Sequence, residues 1–227
     1  MLESVLKFAG KRKMRMGSRF LKVAACFVDY ESEHLPPDSR IVEDSFVFSK
    51  LIGYTKKGNA LDVGCIARHN YISPSLAMNG WNVYGIDIRN EWEFHHPNFH
   101  FVQQDIRHSD FKDDFFDLIT CVSTLEHIGL LGYYGNQTKV DDGDAETMKE
   151  LKRILKPDGT LLLTVPFCDN YSERAGVRVY DYGRLLDIMD GMAAKDSLIY
   201  CQNKKGDWKL TTSTSIEGVI CLELVKI

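Results

Sequence analysis

The stretch ALDVGCIARHNY, residues 60–71, decides how this sequence folds. It begins with an apolar run interrupted by Asp62 and ending in Gly64, which is typical of a buried strand followed by a tight loop. A loop that holds a dinucleotide carries GxGxxG, because its backbone must approach a pyrophosphate closely. The matching positions here are Gly64, Ile66 and His69, so a single glycine is present. The loop therefore indicates a nucleoside ligand that lacks a pyrophosphate.

Outward from this stretch, short apolar runs alternate with helical segments, which predicts a parallel sheet with helices on both faces. One helix is expected between the first two strands, with Ser73 as its cap, Pro74 in its first position and Gly80 at its end. Another is expected to begin near Asp144 and to stop at the turn 156–159. The predicted strands are 59–64, 81–87, 99–105, 116–122, 159–166, 197–203 and 218–226. A turn at 205–207 indicates an antiparallel finish to this sheet.

The amino-terminal region differs from the rest of the chain and predicts two parts, an extension over 1–38 and one domain over 39–227. Seven basic residues and one acid, Glu3, lie within residues 1–22. The helical spacing of its apolar residues is compatible with packing on the domain or with peripheral contact to an anionic membrane. Residues 39–53 predict a helix that Ser39 caps and Gly53 ends.

Composition excludes several classes of protein. The formal net charge of -4 is too mild to attract nucleic acid over long range. The six cysteines form no CxxC pair and no secretory signal precedes them, so neither a zinc site nor a disulfide framework is expected. The longest apolar stretch near the start, residues 21–28, is far too short to span a membrane. We therefore expect a soluble, cytoplasmic protein with reduced thiols.

Three acids lie at or near the ends of successive predicted strands, namely Asp62, Asp87 and Asp105. The carboxyl ends of parallel strands meet at one edge of a sheet, where open α/β folds bind ligands. Asp87 is placed to accept hydrogen bonds from ribose hydroxyls, and Asp105 to meet an adenine amino group. S-adenosylmethionine combines a ribose and an adenine with a sulfonium cation and no phosphate. The spacing of the acids and the glycine-poor loop thus predict S-adenosylmethionine as the cofactor.

The run from LDVG through GID, QQDI, FDLITCVSTLEH and LKRILKPDGTLLLTVPF resembles the class I S-adenosylmethionine-dependent methyltransferases over residues 59–166. This resemblance implies a Rossmann-like, seven-stranded, mostly parallel sheet with an antiparallel last strand. The chain departs from most members at Ile66 and Arg68, where further glycines are usual. The resemblance places these residues around the cofactor: Asp62, Gly64, Cys65, Asp87, Ile88, Asp105, Ile106 and Ser123.

A closer resemblance is to methyltransferase-like proteins that accompany genes for cell-surface polysaccharides and sugar modification. It rests on STLEHIGLLGYYGN (123–136), LTVPF, VRVYD (177–181) and the late Trp208. This similarity implies a small-molecule acceptor, a sugar or a lipid-linked glycan, and a role in polysaccharide biosynthesis.

The predicted chemistry centres on His127 and Glu126, just past the fourth strand. A hydroxyl acceptor must lose its proton, and a histidine titrates near neutrality, so His127 is the expected general base. Alternatively, His127 only caps a helix or hydrogen-bonds the backbone. Glu126 is expected to orient His127 or contact the cofactor. A metal site at this pair is disfavoured, because Ser123 replaces the first acid of an E-x-x-E-H run and two ligands hold a hard cation poorly.

Four residues are candidates for acceptor binding. Tyr133 and Tyr134, in a glycine-rich loop, could stack on a sugar face or simply pack in the core. Arg178 and Tyr180 follow the fifth strand, where an arginine suits a phosphate or carboxylate, although a surface ion pair explains it equally.

The sequence predicts a methyltransferase, and the resemblance to sugar-associated proteins alone implies that it methylates a hydroxyl of a sugar or glycan precursor. Two alternatives stay open: a module of the same fold that binds without catalysis, and a nucleic-acid methyltransferase with residues 7–22 as a basic arm. The absence of an aromatic-basic surface pattern argues against the latter.

Overall fold

The computed structural model describes residues 39–66, 70–131, 139–174 and 176–227. The predicted extension over 1–38 lies outside the described residues, as do Tyr133 and Tyr134. The predicted division of the chain into these two parts stays a prediction.

The described chain contains four α-helices and ten strands. The helices are α1 (Arg40–Leu51), α2 (Ile72–Met78), α3 (Gly143–Ile154) and α4 (Tyr182–Ile188). The strands are β1 (Asn59–Val63), β2 (Asn82–Asp87), β3 (Phe99–Gln103), β4 (Phe116–Val122), β5 (Leu155–Phe167), β6 (Ser172–Arg174), β7 (Val177–Val179), β8 (Met192–Gln202), β9 (Trp208–Thr211) and β10 (Gly218–Lys226). Two short 3-10 helices, Ile106–His108 and Leu125–His127, follow β3 and β4.

Eight of these strands form one sheet in the order β3-β2-β1-β4-β5-β10-β8-β9. Strands β1 to β5 pair in parallel, and β10 lies antiparallel between β5 and β8. The predicted α/β fold with an antiparallel last strand is therefore confirmed. The chain order reverses at β1, which separates β2 and β3 on one side from β4 and β5 on the other.

The sheet has one strand more than the seven expected. The additional strand β9 pairs antiparallel with β8 at the edge. The turn predicted at 205–207 does exist, with Gly206 at φ +84°, but it joins β8 to β9 instead of joining β8 to the final strand. Strand β9 carries no alternating apolar pattern, since its inner residues Lys209 and Leu210 are both exposed, so its sequence gave little signal.

Helices cover both faces of the sheet. On one face, α3 and α4 bury apolar side chains that include Met148, Leu151 and Leu185. On the other, α1 contributes Phe46 and Val47, and α2 packs beside them. The bounds predicted for α1 and α3 agree with the structure within two residues.

The amino-terminal cap predicted for α2 is wrong. Tyr71 precedes this helix, and Ser73 and Pro74 lie inside its first turn. The side chain of Asn70 caps the helix, because its Oδ1 accepts hydrogen bonds from the backbone N–H groups of Ile72 and Ser73 at 3.0 and 3.4 Å. The Ser73 hydroxyl points to Asp62 instead. The predicted end is confirmed, since Gly80 follows the helix with φ +89°.

Two further features bear on the sequence-based expectations. The five cysteines within the described ranges are all free. None of the described helices is long and apolar enough to cross a membrane.

Candidate active site

The carboxyl ends of β1 to β4 meet at one edge of the sheet, and most of the predicted site residues lie there. Asp62 is the penultimate residue of β1, Asp87 is the last residue of β2, and Asp105 lies two residues beyond β3. Glu126 and His127 belong to the 3-10 helix that follows β4. The parallel pairing of these strands thus brings five predicted residues to the same edge.

Asp62 is buried and hydrogen-bonded on both carboxylate oxygens. Oδ2 accepts from Ser73 Oγ at 2.6 Å and from Asn70 Nδ2 at 2.9 Å, while Oδ1 accepts from Thr120 Oγ1 at 2.9 Å. Burial raises the pKa of this carboxyl, and the three hydrogen bonds oppose that effect. Asp62 therefore joins the end of β1 to the start of α2 and to β4, and shapes the loop between them.

Gly64 has a conformation and a location that exclude a side chain. Its φ is +71°, and a Cβ there would lie 2.4 Å from Oγ1 of Thr124. The single glycine of the loop is thus required by the packing of the β4 loop against it. Cys65, the next residue, is fully buried, and burial raises the pKa of its thiol.

Asp87 is held by Arg89 and by two backbone N–H groups. Its Oδ1 lies 2.9 Å from Arg89 Nε and its Oδ2 lies 2.9 Å from Arg89 Nη2. Ile66 N donates to Oδ2 at 3.0 Å, and Arg89 N donates to Oδ1 at the same distance. Arg89 also donates to the Ile66 carbonyl. The ribose position predicted at Asp87 is therefore shared with an arginine that the sequence analysis missed. The adjacent Ile88 is exposed.

Asp105 repeats this arrangement at the next strand tip. It caps the 3-10 helix through Arg107 N at 3.0 Å, and its Oδ2 lies 2.7 Å from Arg107 Nη2. Burial raises the pKa of Asp105, but the hydrogen bonds and charge of Arg107 outweigh it and leave the pKa below its ordinary value. Ile106 is buried in the core.

Glu126 and His127 form a contact pair in a poorly solvated place. Nε2 of His127 lies 3.8 Å from Oε1 of Glu126. Nδ1 lies 2.8 Å from the carbonyl oxygen of Gly176, to which it donates, so the basic lone pair of the neutral ring is on Nε2. Burial lowers the pKa of His127 and raises that of Glu126 to about 8. Both shifts favour the uncharged form of the group concerned, the neutral imidazole and the protonated carboxyl.

Helix α1 supplies two groups that the sequence analysis missed. Glu43 is fully buried and accepts hydrogen bonds from Ser123 Oγ and Thr164 Oγ1. Arg40 donates from Nη1 to the carbonyl oxygen of Val122 at 3.1 Å. One signal was present: Glu43 lies three and four residues before Phe46 and Val47, on the apolar face of a predicted helix.

Arg178 and Tyr180 lie behind the loop that follows β4, and both are fully buried. Arg178 donates to the carbonyl oxygens of Ile128 at 2.6 Å and Asp141 at 3.2 Å. Burial, with nearby Asp144 second, raises the pKa of Tyr180. In this structure both side chains contact protein groups, and their predicted role in acceptor binding stays a prediction. The predicted role of Tyr133 and Tyr134 in acceptor binding also stays a prediction, because both lie outside the described residues.

A family model described as a methyltransferase domain matches residues 44–193, more than half of the chain. The chain belongs to the methyltransferase domain family. Among curated proteins, none matches the sequence significantly.

Solved structures similar to this methyltransferase domain share its fold at low sequence identity. A SAM-dependent methyltransferase from Methanosarcina mazei is 16% identical, with TM-score 0.54, over 78% of this chain and 97% of that one. The 1,6-didemethyltoxoflavin-N1-methyltransferase of Burkholderia thailandensis, solved with S-adenosylhomocysteine, is 14% identical, with TM-score 0.57, over 92% and 86% of the two chains. The [4+2]-cyclase SpnF is also 14% identical, with TM-score 0.56, over 86% and 84%. At these identities the likeness concerns the fold.

Two observations indicate which class of ligand fits the sheet edge at the carboxyl ends of β1 to β4 in this methyltransferase domain. The Ile66 N–H, which a dinucleotide loop would offer to a phosphate, donates to Asp87 instead. The groups at the tips of β1 to β3 include three carboxylates, which suit hydroxyl, amine and amide donors, and those of Asp87 and Asp105 are paired with Arg89 and Arg107. The edge therefore fits a nucleoside that carries no phosphate.

Metal binding finds no support in the described part of the methyltransferase. Within residues 39–66, 70–131, 139–174 and 176–227, no three His, Cys, Asp or Glu side chains are arranged to hold a metal ion.

Proposed function

We propose that this methyltransferase uses S-adenosylmethionine to methylate a hydroxyl group of a small molecule, a sugar or a glycan precursor. The observation that carries the proposal is the location of the Glu126–His127 pair at the sheet edge where Asp62, Asp87 and Asp105 converge. Family membership supports the reaction class, and the glycine-poor loop supports a cofactor without phosphates. The sugar acceptor rests on the resemblance of residues 123–136 and 177–181 to sugar-associated methyltransferase-like proteins.

Each residue of the edge has a distinct part in this proposal. Asp87 and Asp105 would accept hydrogen bonds from the ribose and the adenine, and the backbone at Gly64 would pass close to the amino-acid end. When bound, S-adenosylmethionine supplies an electrophilic methyl group on a sulfonium. The protein must then hold an acceptor oxygen in line with it and exclude water.

His127 would remove the acceptor proton through Nε2. Its hydrogen bond to the Gly176 carbonyl orients the ring, and burial keeps it neutral at physiological pH, which is the form that a base requires. Glu126, with Oε1 3.8 Å from Nε2 and a raised pKa of about 8, would not compete with the ring as an anion.

Calorimetric titration of the purified chain with S-adenosylhomocysteine tests the cofactor assignment. We expect micromolar binding that weakens at least tenfold in Asp87→Asn. Transfer of a radioactive methyl group to a panel of nucleotide sugars, oligosaccharides and lipid-linked glycans tests the acceptor. Absence of binding at millimolar concentration would contradict the proposal, and binding without transfer to any hydroxyl acceptor would instead support a non-catalytic module.

A further inference from the structure

Glu43 lies far from Glu126 in sequence but is buried at the same end of the sheet. Its Oε1 accepts a hydrogen bond from Ser123 Oγ at 2.5 Å and another from Thr164 Oγ1 at 2.7 Å. These two donors belong to the loop after β4 and to β5, while Glu43 itself belongs to α1. One carboxyl oxygen therefore joins three elements at the edge that carries Glu126 and His127.

Ser123 needs such support because its backbone is in the left-handed region, with φ +42°. A residue with a Cβ adopts this conformation at a cost of about 1–2 kcal/mol, which its surroundings must offset. The Ser123 N–H donates to the Thr164 carbonyl oxygen at 3.1 Å, and its hydroxyl donates to Glu43. Ser123 lies three residues before Glu126, so its conformation sets the direction in which the 3-10 helix with Glu126 and His127 leaves β4.

Glu43 is also a second buried acid at the end of the sheet that carries Glu126. Both side chains are buried, and the Oε2 atom of each has no hydrogen-bond partner among the described residues. Oε2 of Glu43 lies 3.9 Å from Arg40 Nε, too far for a hydrogen bond. Two carboxyls in one poorly solvated place disfavour double ionisation. Accordingly, burial raises the pKa of Glu126 first, and the charge of Glu43 raises it further.

Other titratable or charged groups interact electrostatically with Glu126. They are Arg40 and Glu43 of α1, Cys121 of β4, His127 beside it, and Tyr180 next to β7.

We propose that Glu43 is a positioning residue for the Glu126–His127 pair: it holds Ser123 in its left-handed conformation and places a second buried acid at the end of the sheet that carries the pair. The relevance of this role to catalysis rests on the proposed function, whereas the positioning itself does not.

The test compares Glu43→Gln with Glu43→Ala by NMR titration of the Glu126 carboxyl and the His127 imidazole in labelled protein without ligand. Glutamine keeps the acceptor oxygen for Ser123 and Thr164 and removes the charge. We expect the Glu126 titration midpoint to fall by about one pH unit in Glu43→Gln, while the His127 resonances keep their wild-type positions. In Glu43→Ala we expect the His127 resonances to move as well, because Ser123 loses its acceptor.

Ser123→Ala also removes the hydrogen bond between Ser123 and Glu43. It therefore tests the same contact if Glu43→Ala does not fold. It should move the His127 resonances as Glu43→Ala does. Glu217→Gln, which changes a partly exposed acid paired with Arg174, should alter neither titration. A Glu126 midpoint that stays unchanged in folded Glu43→Gln, or His127 resonances that stay unchanged in Ser123→Ala, would overturn the inference.

Failure of the inference and failure of the proposed function give different results. If the wild-type chain does not bind S-adenosylhomocysteine but the titrations respond as expected, the proposed function fails and the positioning role stands. If the wild type binds it and the titrations do not respond, the positioning role fails alone.

Discussion

Arg89 donates hydrogen bonds to both carboxylate oxygens of Asp87, from Nε at 2.9 Å and from Nη2 at 2.9 Å. The pair lies at the tip of β2, where a nucleoside sugar is expected to bind. A ribose whose hydroxyls donate hydrogen bonds to Asp87 must therefore displace the guanidinium, or use the carboxylate lone pairs that the guanidinium leaves unoccupied.

The first prediction concerns this competition. Arg89→Ala should bind S-adenosylhomocysteine up to about tenfold more tightly, because the ribose hydroxyls no longer displace a guanidinium. The same change should lower the free energy of unfolding by about 2 kcal/mol, since Asp87 is left buried with two backbone donors. Calorimetry measures the first effect and urea denaturation the second. Arg174→Ala, which removes an exposed partner of Glu217, is the control, and equal or weaker ligand binding by Arg89→Ala would refute competition.

The second prediction concerns the only glycine of the loop after β1. Gly64→Ala should lower the free energy of unfolding by about 3 kcal/mol, because φ +71° strains alanine and its Cβ would meet Thr124. Thr124→Ala should recover part of this loss in the double variant. Gly183→Ala is the matched control, since its Cβ meets only Asp181 Oδ1 at 3.4 Å. Thermal unfolding of the four proteins measures these differences, and a fully stable Gly64→Ala would contradict the described packing.

The third prediction concerns the pH dependence of stability. Burial raises the pKa of Glu126 to about 8 in the folded chain, against about 4.3 for an unfolded glutamate. Between these values the folded state binds one proton more, so the stability contributed by this group falls as pH rises. Glu126→Gln removes this loss. It should stay within about 1 kcal/mol of the wild type near pH 4.5 and exceed it by roughly 4 to 5 kcal/mol near pH 8.

Urea denaturation at several pH values measures this difference. In the control variant Glu217→Gln, the free energy of unfolding should not rise above that of the wild type as pH increases. A constant difference between Glu126→Gln and the wild type across the range would mean that Glu126 ionises normally.

The fourth prediction separates binding from chemistry at His127. His127→Gln should keep the affinity for S-adenosylhomocysteine within about twofold, because the ring contacts Gly176 and Glu126, whereas Asp87 and Asp105 are the residues proposed to hold the nucleoside. Methyl transfer to the best acceptor of the panel should fall about a hundredfold or more, the usual effect of losing a general base. Transfer at the wild-type rate would show that His127 only orients the loop.

The fifth prediction concerns Arg178, whose side chain is fully buried. Arg178→Met should lower the free energy of unfolding by about 3 kcal/mol, because the carbonyl oxygens of Ile128 and Asp141 lose a charged donor. Arg174→Met is the exposed control. If Arg178 binds the acceptor instead, the variant should be stable and should lose acceptor binding, which equilibrium unfolding and a transfer assay distinguish.

Local sequence patterns predicted the sheet, because apolar strands and the turns around them depend on neighbouring residues. Gly80 ends α2 with φ +89° as its context indicates. The cap of α2 was misassigned to Ser73 because a hydroxyl is a common cap, and the tertiary contact with Asp62 could not be seen. Strand β9 was missed because an edge strand with exposed residues lacks the alternation of apolar and polar residues by which a strand is recognised.

In the candidate site, too, the features that depend on neighbouring residues could be predicted and the tertiary contacts could not. The positions of the three acids could be predicted because the sequence pattern shows where each strand ends. Their partners Arg89 and Arg107 lie only two residues away, yet charge pairs in loops have no periodicity that would single them out. Glu43 could have been noticed on the apolar face of α1, but its contacts could not be predicted: Ser123 and Thr164 lie 80 and 121 residues away, and only the assembled sheet brings them together.

The repeated Asp-Ile-Arg at 87–89 and 105–107 means that two of the three carboxylates at the strand tips bring their own counter-ion. We expect these two ion pairs to weaken the long-range attraction that the acids would otherwise exert on a sulfonium. Capture should therefore be almost insensitive to ionic strength, and discrimination between the charged cofactor and its neutral product must come from short-range contacts.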